Sequence, residues 1–190
     1  MKLRAIYLTV LLLGSLLGCD QSDNLIEQER EVYSALIDYW PKDTLQNVVF
    51  NSESAPFDEE QMARYISSFK YQPTNLTSVK RSFTAINSPS STLPLPAHED
   101  LQIFAENERT EIFGNPKRSL KSRWETFNKL HPESLSIISL SRVGFNKSAS
   151  KALVYYSSSC GPLCGRGYMV YLERGFWGWR VIWLEDLWAS

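Results

Sequence analysis

Two adjacent carboxylates, Glu185 and Asp186, close the last apolar run of this 190-residue chain and form its best-placed acid–base pair. Two carboxyl groups flanking a glycosidic bond can hydrolyse it, one acting as acid and the other as base or nucleophile. Neighbours in a strand point to opposite faces, however, so the pair reads first as a solvated strand end. The two histidines are His98, beside a Ser/Pro-rich stretch, and His131, before Pro132; they would join a Ser-His-Asp set only if the fold assembled one. The sequence has no GxSxG elbow, no glycine-rich phosphate loop, no HExxH and no paired acidic metal motif. Its three cysteines, Cys19, Cys160 and Cys164, are the other residues with chemistry to offer.

Cys19 stands at the end of a secretion signal. Met1-Lys2-Leu3-Arg4 is a short positive segment, and Ala5 to Leu17 is an uncharged, mostly apolar run of thirteen residues. A membrane-spanning helix needs about 20 apolar residues. Asp20, Asp23, Glu27 and Glu29 follow at once, so a permanent span is not expected. Leu16-Leu17-Gly18-Cys19 resembles the lipobox of bacterial lipoproteins. That resemblance implies a diacylglycerol on the Cys19 thiol, cleavage after Gly18, and a mature chain tethered by palmitate-type acyl chains. Each buried CH₂ contributes about 0.8 kcal/mol, and more than one chain makes the anchoring stable. Asp20 resembles the residue that retains enteric-type lipoproteins in the inner membrane. The expected location is therefore the cell envelope, lipid-anchored and facing the periplasm, with the inner membrane favoured. An ordinary cleaved signal with Cys19 incidental is the competing reading.

Cys160 and Cys164 are then an even pair in an oxidising compartment, where a disulfide is the natural outcome. They lie in Ser159-Cys160-Gly161-Pro162-Leu163-Cys164-Gly165, whose glycines and proline mark a tight turn. Closing so short a loop stabilises by only about 2 kcal/mol, so such a bond mainly fixes the shape of the loop. A redox-active pair normally has two intervening residues at a helix N-terminus, whereas here three intervene between apparent strands. A zinc site needs about four ligands, and only His98 and His131 could join the cysteines. No metal and no cofactor is expected.

Composition narrows the class further. Hydrophobic residues at 43% and charged residues at 22% are ordinary for a globular protein. Twenty basic against twenty-one acidic residues leave a net charge of −1, too balanced to attract a phosphate backbone, so nucleic acid is not an expected partner.

Periodicity supplies the elements. Leu25, Ile26, Val32, Tyr33, Leu36, Ile37 and Trp40 recur at helical spacing behind a cap at Ser22 or Asp23, until Pro41. Thr44 to Asn51 reads as a strand. A second helix starts at Asp58, with Gln61 completing a capping box and Phe57 and Met62 forming a staple. Leu76, Val79, Phe83 and Ile86 define a third helix, and Ser88 to Pro96 is a loop. Leu101, Ile103 and Ala105 alternate as in a strand. Asn115-Pro116 reads as the start of a helix carrying Leu120, Trp124, Phe127 and Leu130. From Leu135 the period becomes twofold, with strands at 136–143, 151–158, 168–173 and 179–185 joined by short turns. After the signal at 1–18, residues 19–190 are expected to form a single α+β domain, N-terminal helices packed on a C-terminal antiparallel β-meander.

Residues 152–190 hold nine aromatics, four of them tryptophans, against six charged groups. Alternation sets Trp179, Val181 and Trp183 on one face of the last strand and Arg180, Ile182 and Leu184 on the other. Tyr168, Val170 and Leu172 oppose Met169 and Tyr171 on the strand before. With apolar groups on both faces, both must be covered. These rings read either as core or as the lining of a groove; Phe176 and Trp177, at a hairpin tip, are the candidate contact residues.

Ser141-Arg142-Val143-Gly144-Phe145-Asn146, Ala152-Leu153-Val154-Tyr155, Cys160-Gly161-Pro162-Leu163-Cys164-Gly165, Trp179 and Trp188-Ala189-Ser190 together resemble a pattern of uncharacterised bacterial secreted proteins and lipoproteins with a CG-x-LCG motif. The resemblance implies a shared sheet-and-loop module and no catalytic residue. The sequence thus points to a lipid-anchored envelope protein that binds a protein or peptide partner. The alternative is an envelope hydrolase using Glu185 or Asp186.

Overall fold

A computed structural model describes residues 20–40, 47–57, 59–69, 76–98 and 101–190. The signal with Cys19, the stop at Pro41, and the Asp58 and Met62 side chains of the expected box and staple lie outside it. In chain order the elements are α1 (Asp20–Tyr39), β1 (Val48–Asn51), α2 (Glu59–Ser68), α3 (Leu76–Asn87), β2 (Gln102–Phe104), α4 (Glu106–Phe113), α5 (Leu120–Leu130), β3 (Ser136–Leu140), β4 (Gly144–Phe145), β5 (Lys151–Gly161), β6 (Cys164–Gly175) and β7 (Gly178–Ala189). Among the described residues no helix is long and apolar enough to cross a membrane.

Among the described residues the strands make one seven-stranded sheet in the order β2-β1-β3-β5-β6-β7, with β4 paired to β5. β1 runs parallel to both β2 and β3, and the remaining pairs are antiparallel. This is the α+β arrangement expected of helices followed by a meander, with two short strands from the N-terminal half added at one edge.

Both faces of the sheet are covered. Helix α1 places the buried stripe Val32, Tyr33, Leu36 and Ile37 on one face, against Val48, Phe50, Ile138, Val154, Val170 and Leu172. On the other face α3 contributes Leu76, Val79 and Phe83 over Leu153, Tyr155, Met169 and Tyr171. Farther along that same face, α4 and α5 place Ile112, Trp124 and Phe127 on Val49, Ile137 and Phe104. Burial of these side chains, at roughly 1.5–3 kcal/mol each, is the main force holding the layers together.

The turn between β3 and β4 is tied to both helical layers. The Glu29 carboxylate of α1, only 2% exposed, accepts from the Arg142 guanidinium at 2.7–2.9 Å, from the Val143 amide at 2.9 Å and from the Tyr33 hydroxyl at 2.8 Å. From α3, Asn87 exchanges bonds with the Arg142 backbone: its Oδ1 accepts from the amide at 2.7 Å, and its Nδ2 donates to the carbonyl at 2.9 Å. Gly144 then meets α3 so closely that a methyl group there would sit 2.5 Å from the Phe83 backbone. Asn146 closes the next turn by accepting from the Ser150 and Lys151 amides.

Several local expectations are corrected, and the run read as one strand over 136–143 divides into β3 and β4 around a turn at residues 141–143. Helix α5 begins at Leu120 behind Ser119, whose hydroxyl accepts from the Ser122 amide, and not at Asn115-Pro116, which forms a separate turn. A helix not anticipated, α4, fills Glu106–Phe113; Ile112 is its one fully buried residue, so it presents no apolar stripe to read. In β2 the residue driven into the core is Phe104, while Ile103 is exposed. On β7, Trp183 lies on the face opposite Trp179 and Val181. A bulge pairs Tyr171 with Trp183 but Leu172 with Val181, leaving Ile182 as the extra, exposed residue that reverses the alternation. In α3, Asn87 rather than Ile86 completes the buried stripe.

Candidate functional site

The β6–β7 hairpin carries the largest exposed aromatics. Gly175 and Gly178 flank its tip, and Gly178 has φ +103°, which only glycine adopts without strain. The tight turn leaves Phe176 and Trp177 90% and 91% exposed, their rings edge to face at 4.9 Å. Burial elsewhere therefore gives no reason for two large rings here.

Between this hairpin and the C-terminal half of α1 opens a groove of about 560 Å³. Glu31, Asp38 and Tyr39 line it from α1, and Arg174, Trp177 and Trp179 from the hairpin. Arg174 bridges the two elements by bonding Glu31 at 3.0 Å, and its guanidinium lies 6.0 Å from the Trp179 ring centre. Arg180 also lines the groove, so its walls carry both signs of charge. Trp179 is 6% exposed and packs against Phe145, yet its indole Nε1 has no hydrogen-bond partner among the described residues. A buried donor left unpaired costs free energy. The groove thus sets the exposed Tyr39 and Trp177 rings beside charges of both signs.

The cysteines lie at the opposite end of the same strands. Cys160 and Cys164 form a disulfide with Cα atoms 5.1 Å apart, closing the β5–β6 turn at an exposed tip. Beside it Trp188 lies across Gly165 and Gly167, where a methyl at Gly167 would sit 2.0 Å from the indole nitrogen. That nitrogen donates to the Tyr155 hydroxyl at 3.0 Å.

Glu185 and Asp186 do not converge. Glu185 pairs across from Met169 and is 7% exposed, while Asp186 pairs with Tyr168 on the other face and is exposed. Neither lines the hollows of about 560, 360 and 350 Å³ that open among the described residues. His131 caps α5, its Nε2 lies 2.8 Å from Glu108 Oε1, and its ring stacks on Phe127; His98 is exposed in the loop before β2. No group of three or more His, Cys, Asp or Glu able to hold a metal occurs among the described residues. Sequence reasoning found the hairpin tip but not the α1 half of the groove, since Glu31, Asp38 and Tyr39 lie off the apolar positions that define the helix.

Mixed-sheet α+β architecture with an aromatic groove at one edge is the class that fold and site define. Compared with protein-family models, with curated proteins and with solved structures, the chain has no match.

Proposed function

We propose that this chain is a lipid-anchored binding protein of the cell envelope. Cys19 carries the anchor, the body faces the periplasm from the inner membrane, and the partner is an envelope protein or peptide. The observation that supports the binding role is the pairing of an exposed Phe176–Trp177 tip with the groove beneath it. Tyr and Trp supply large contact area at low entropic cost, and interface energy concentrates in such residues. Mixed charge along the walls suits a peptide with both donors and acceptors rather than a polyanion.

The experiment is affinity capture from solubilised membranes with the Cys19-anchored form as bait, repeated with Phe176→Ser/Trp177→Ser. The double variant should keep its unfolding midpoint and lose the captured protein. Identical capture by parent and variant would sink the groove reading. Mass spectrometry finding no lipid on Cys19 would sink the anchor.

A further inference from the structure

The face of the sheet that carries α3, α4 and α5 is not apolar throughout. Between the cluster over β5–β7 and the cluster over β1–β3 runs a polar cross-strand row. Asn51 of β1 donates from Nδ2 to Ser139 Oγ of β3 at 2.6 Å, and Ser139 stands opposite Ser157 of β5. Ser159, two residues along β5, faces the same way beside Ile137. Stability alone favours apolar side chains in the middle of a covered face.

Among the described residues no helix covers this row completely. A cleft of about 360 Å³ remains, floored by Asn51, Ser139 and Ser159 and walled by Trp124 on the α5 side and Trp188 on the β7 side. In either orientation of the Asn51 amide, one polar atom bonds Ser139 while the other, buried, has no partner among the described residues. Among the described side chains of the lining, Arg109 carries the charge, and Glu106 holds it through two bonds of 2.6 Å. That guanidinium in turn holds the Glu106 carboxyl below its usual range. Trp188 rests on Gly165 and Gly167, which have no side chains to lift it from the strand.

We infer that this cleft is a second binding site, for a neutral sugar of one or two rings. Ligand sites of a few hundred cubic ångströms combine apolar walls with a few fixed polar groups. Here the polar groups are two hydroxyls and an amide, which donate and accept on one side, and the walls are indoles on the others. A pyranose matches both, with hydroxyls around its edge and an apolar C–H face for an aromatic ring. An anionic ligand would need a free cation, and Arg109 is already paired. The site is separate from the α1 groove and does not depend on it.

The test uses the full chain with its tryptophan indole resonances assigned. Glucose, galactose, N-acetylglucosamine and maltose are titrated in turn, with acetylated amino-acid amides as controls. At least one sugar should bind saturably and shift the Trp124 or Trp188 indole signal while leaving that of Trp179 in place. Asn51→Ala should weaken binding by about tenfold, the loss of a hydrogen bond at the floor. Ser159→Val, which suits a strand and fills the floor, should abolish it and serves if Asn51→Ala does not fold. No saturable sugar binding, binding of the amides alone, shifts centred on Trp179, or affinity unchanged in a folded variant would each overturn the inference.

Discussion

The Glu29 carboxylate and the Arg142 guanidinium, 113 residues apart in sequence, meet through three bonds of 2.7–2.9 Å and join the first described helix to the turn between β3 and β4. Because Glu29 is almost fully buried, its stability depends on keeping that partner. Arg142→Ala leaves the carboxylate without its counter-charge and is expected to cost about 3–5 kcal/mol. Urea unfolding of parent and variant measures it; a loss below about 1 kcal/mol, the value of an exposed pair, would contradict the assignment.

Alkaline pH provides a second test of the same network. Burial first, and the neighbouring Glu29 carboxylate second, hold the Tyr33 phenol well above its ordinary value. The folded state therefore keeps a proton that the unfolded chain releases near pH 10. The stabilisation is whole below about pH 10 and is lost as pH climbs from there toward the folded-state value. Tyr155 and Tyr156, also raised by burial, add to the same limb. Tyr33→Phe should make the fall in unfolding midpoint above pH 10 shallower, and an equally steep fall in parent and variant would refute the assignment.

Two glycines mark close approaches. Gly144→Ala would force α3 away from β4, because the obstacle is the Phe83 backbone rather than a side chain that can rotate. A loss at or above the roughly 1–3 kcal/mol of ordinary overpacking is expected. Gly167→Ala meets only the Trp188 ring, which can swing out, so its mark should be a red shift of tryptophan emission as the bond to Tyr155 breaks. Calorimetry and fluorescence separate the two effects.

Reduction of the Cys160–Cys164 bond should leave the fold standing. The bridge closes a short turn between two long paired strands, and the loop-entropy relation gives about 2 kcal/mol for it. Cooperative unfolding on adding reductant at 25 °C would show that the bond holds more than its own turn.

The sequence revealed elements wherever burial followed a regular period. α1, α3 and the paired strands β5 and β6 have one buried stripe or a clean alternation and appear where their patterns lie, whereas the run over 136–143 splits at the turn that Arg142 ties down. The period fails where tertiary contacts interrupt it: the bulge at Ile182 turns Trp183 to the other face, and α4 packs through the adjacent Ile112 and Phe113, which make no helical stripe. The motif from Ser141 to Asn146 was legible as a pattern, but not for its reason. Arg142 serves Glu29, Gly144 admits α3, and Asn146 shapes a turn, and none of these partners is near in sequence except the last. Phe176 and Trp177 were legible because a two-residue tip between glycines has nowhere to hide a ring. The groove below them was not, since nothing local signals that a helix some 140 residues earlier forms its other wall.

Helix α1 packs against β7, so the earliest and latest described elements complete one core. Loop closure over that span is entropically expensive and gains nothing until both partners exist. The stripe of α1 meets β1, β3, β5 and β6 as well, so β7 adds the last wall of a core that earlier strands have already begun to cover.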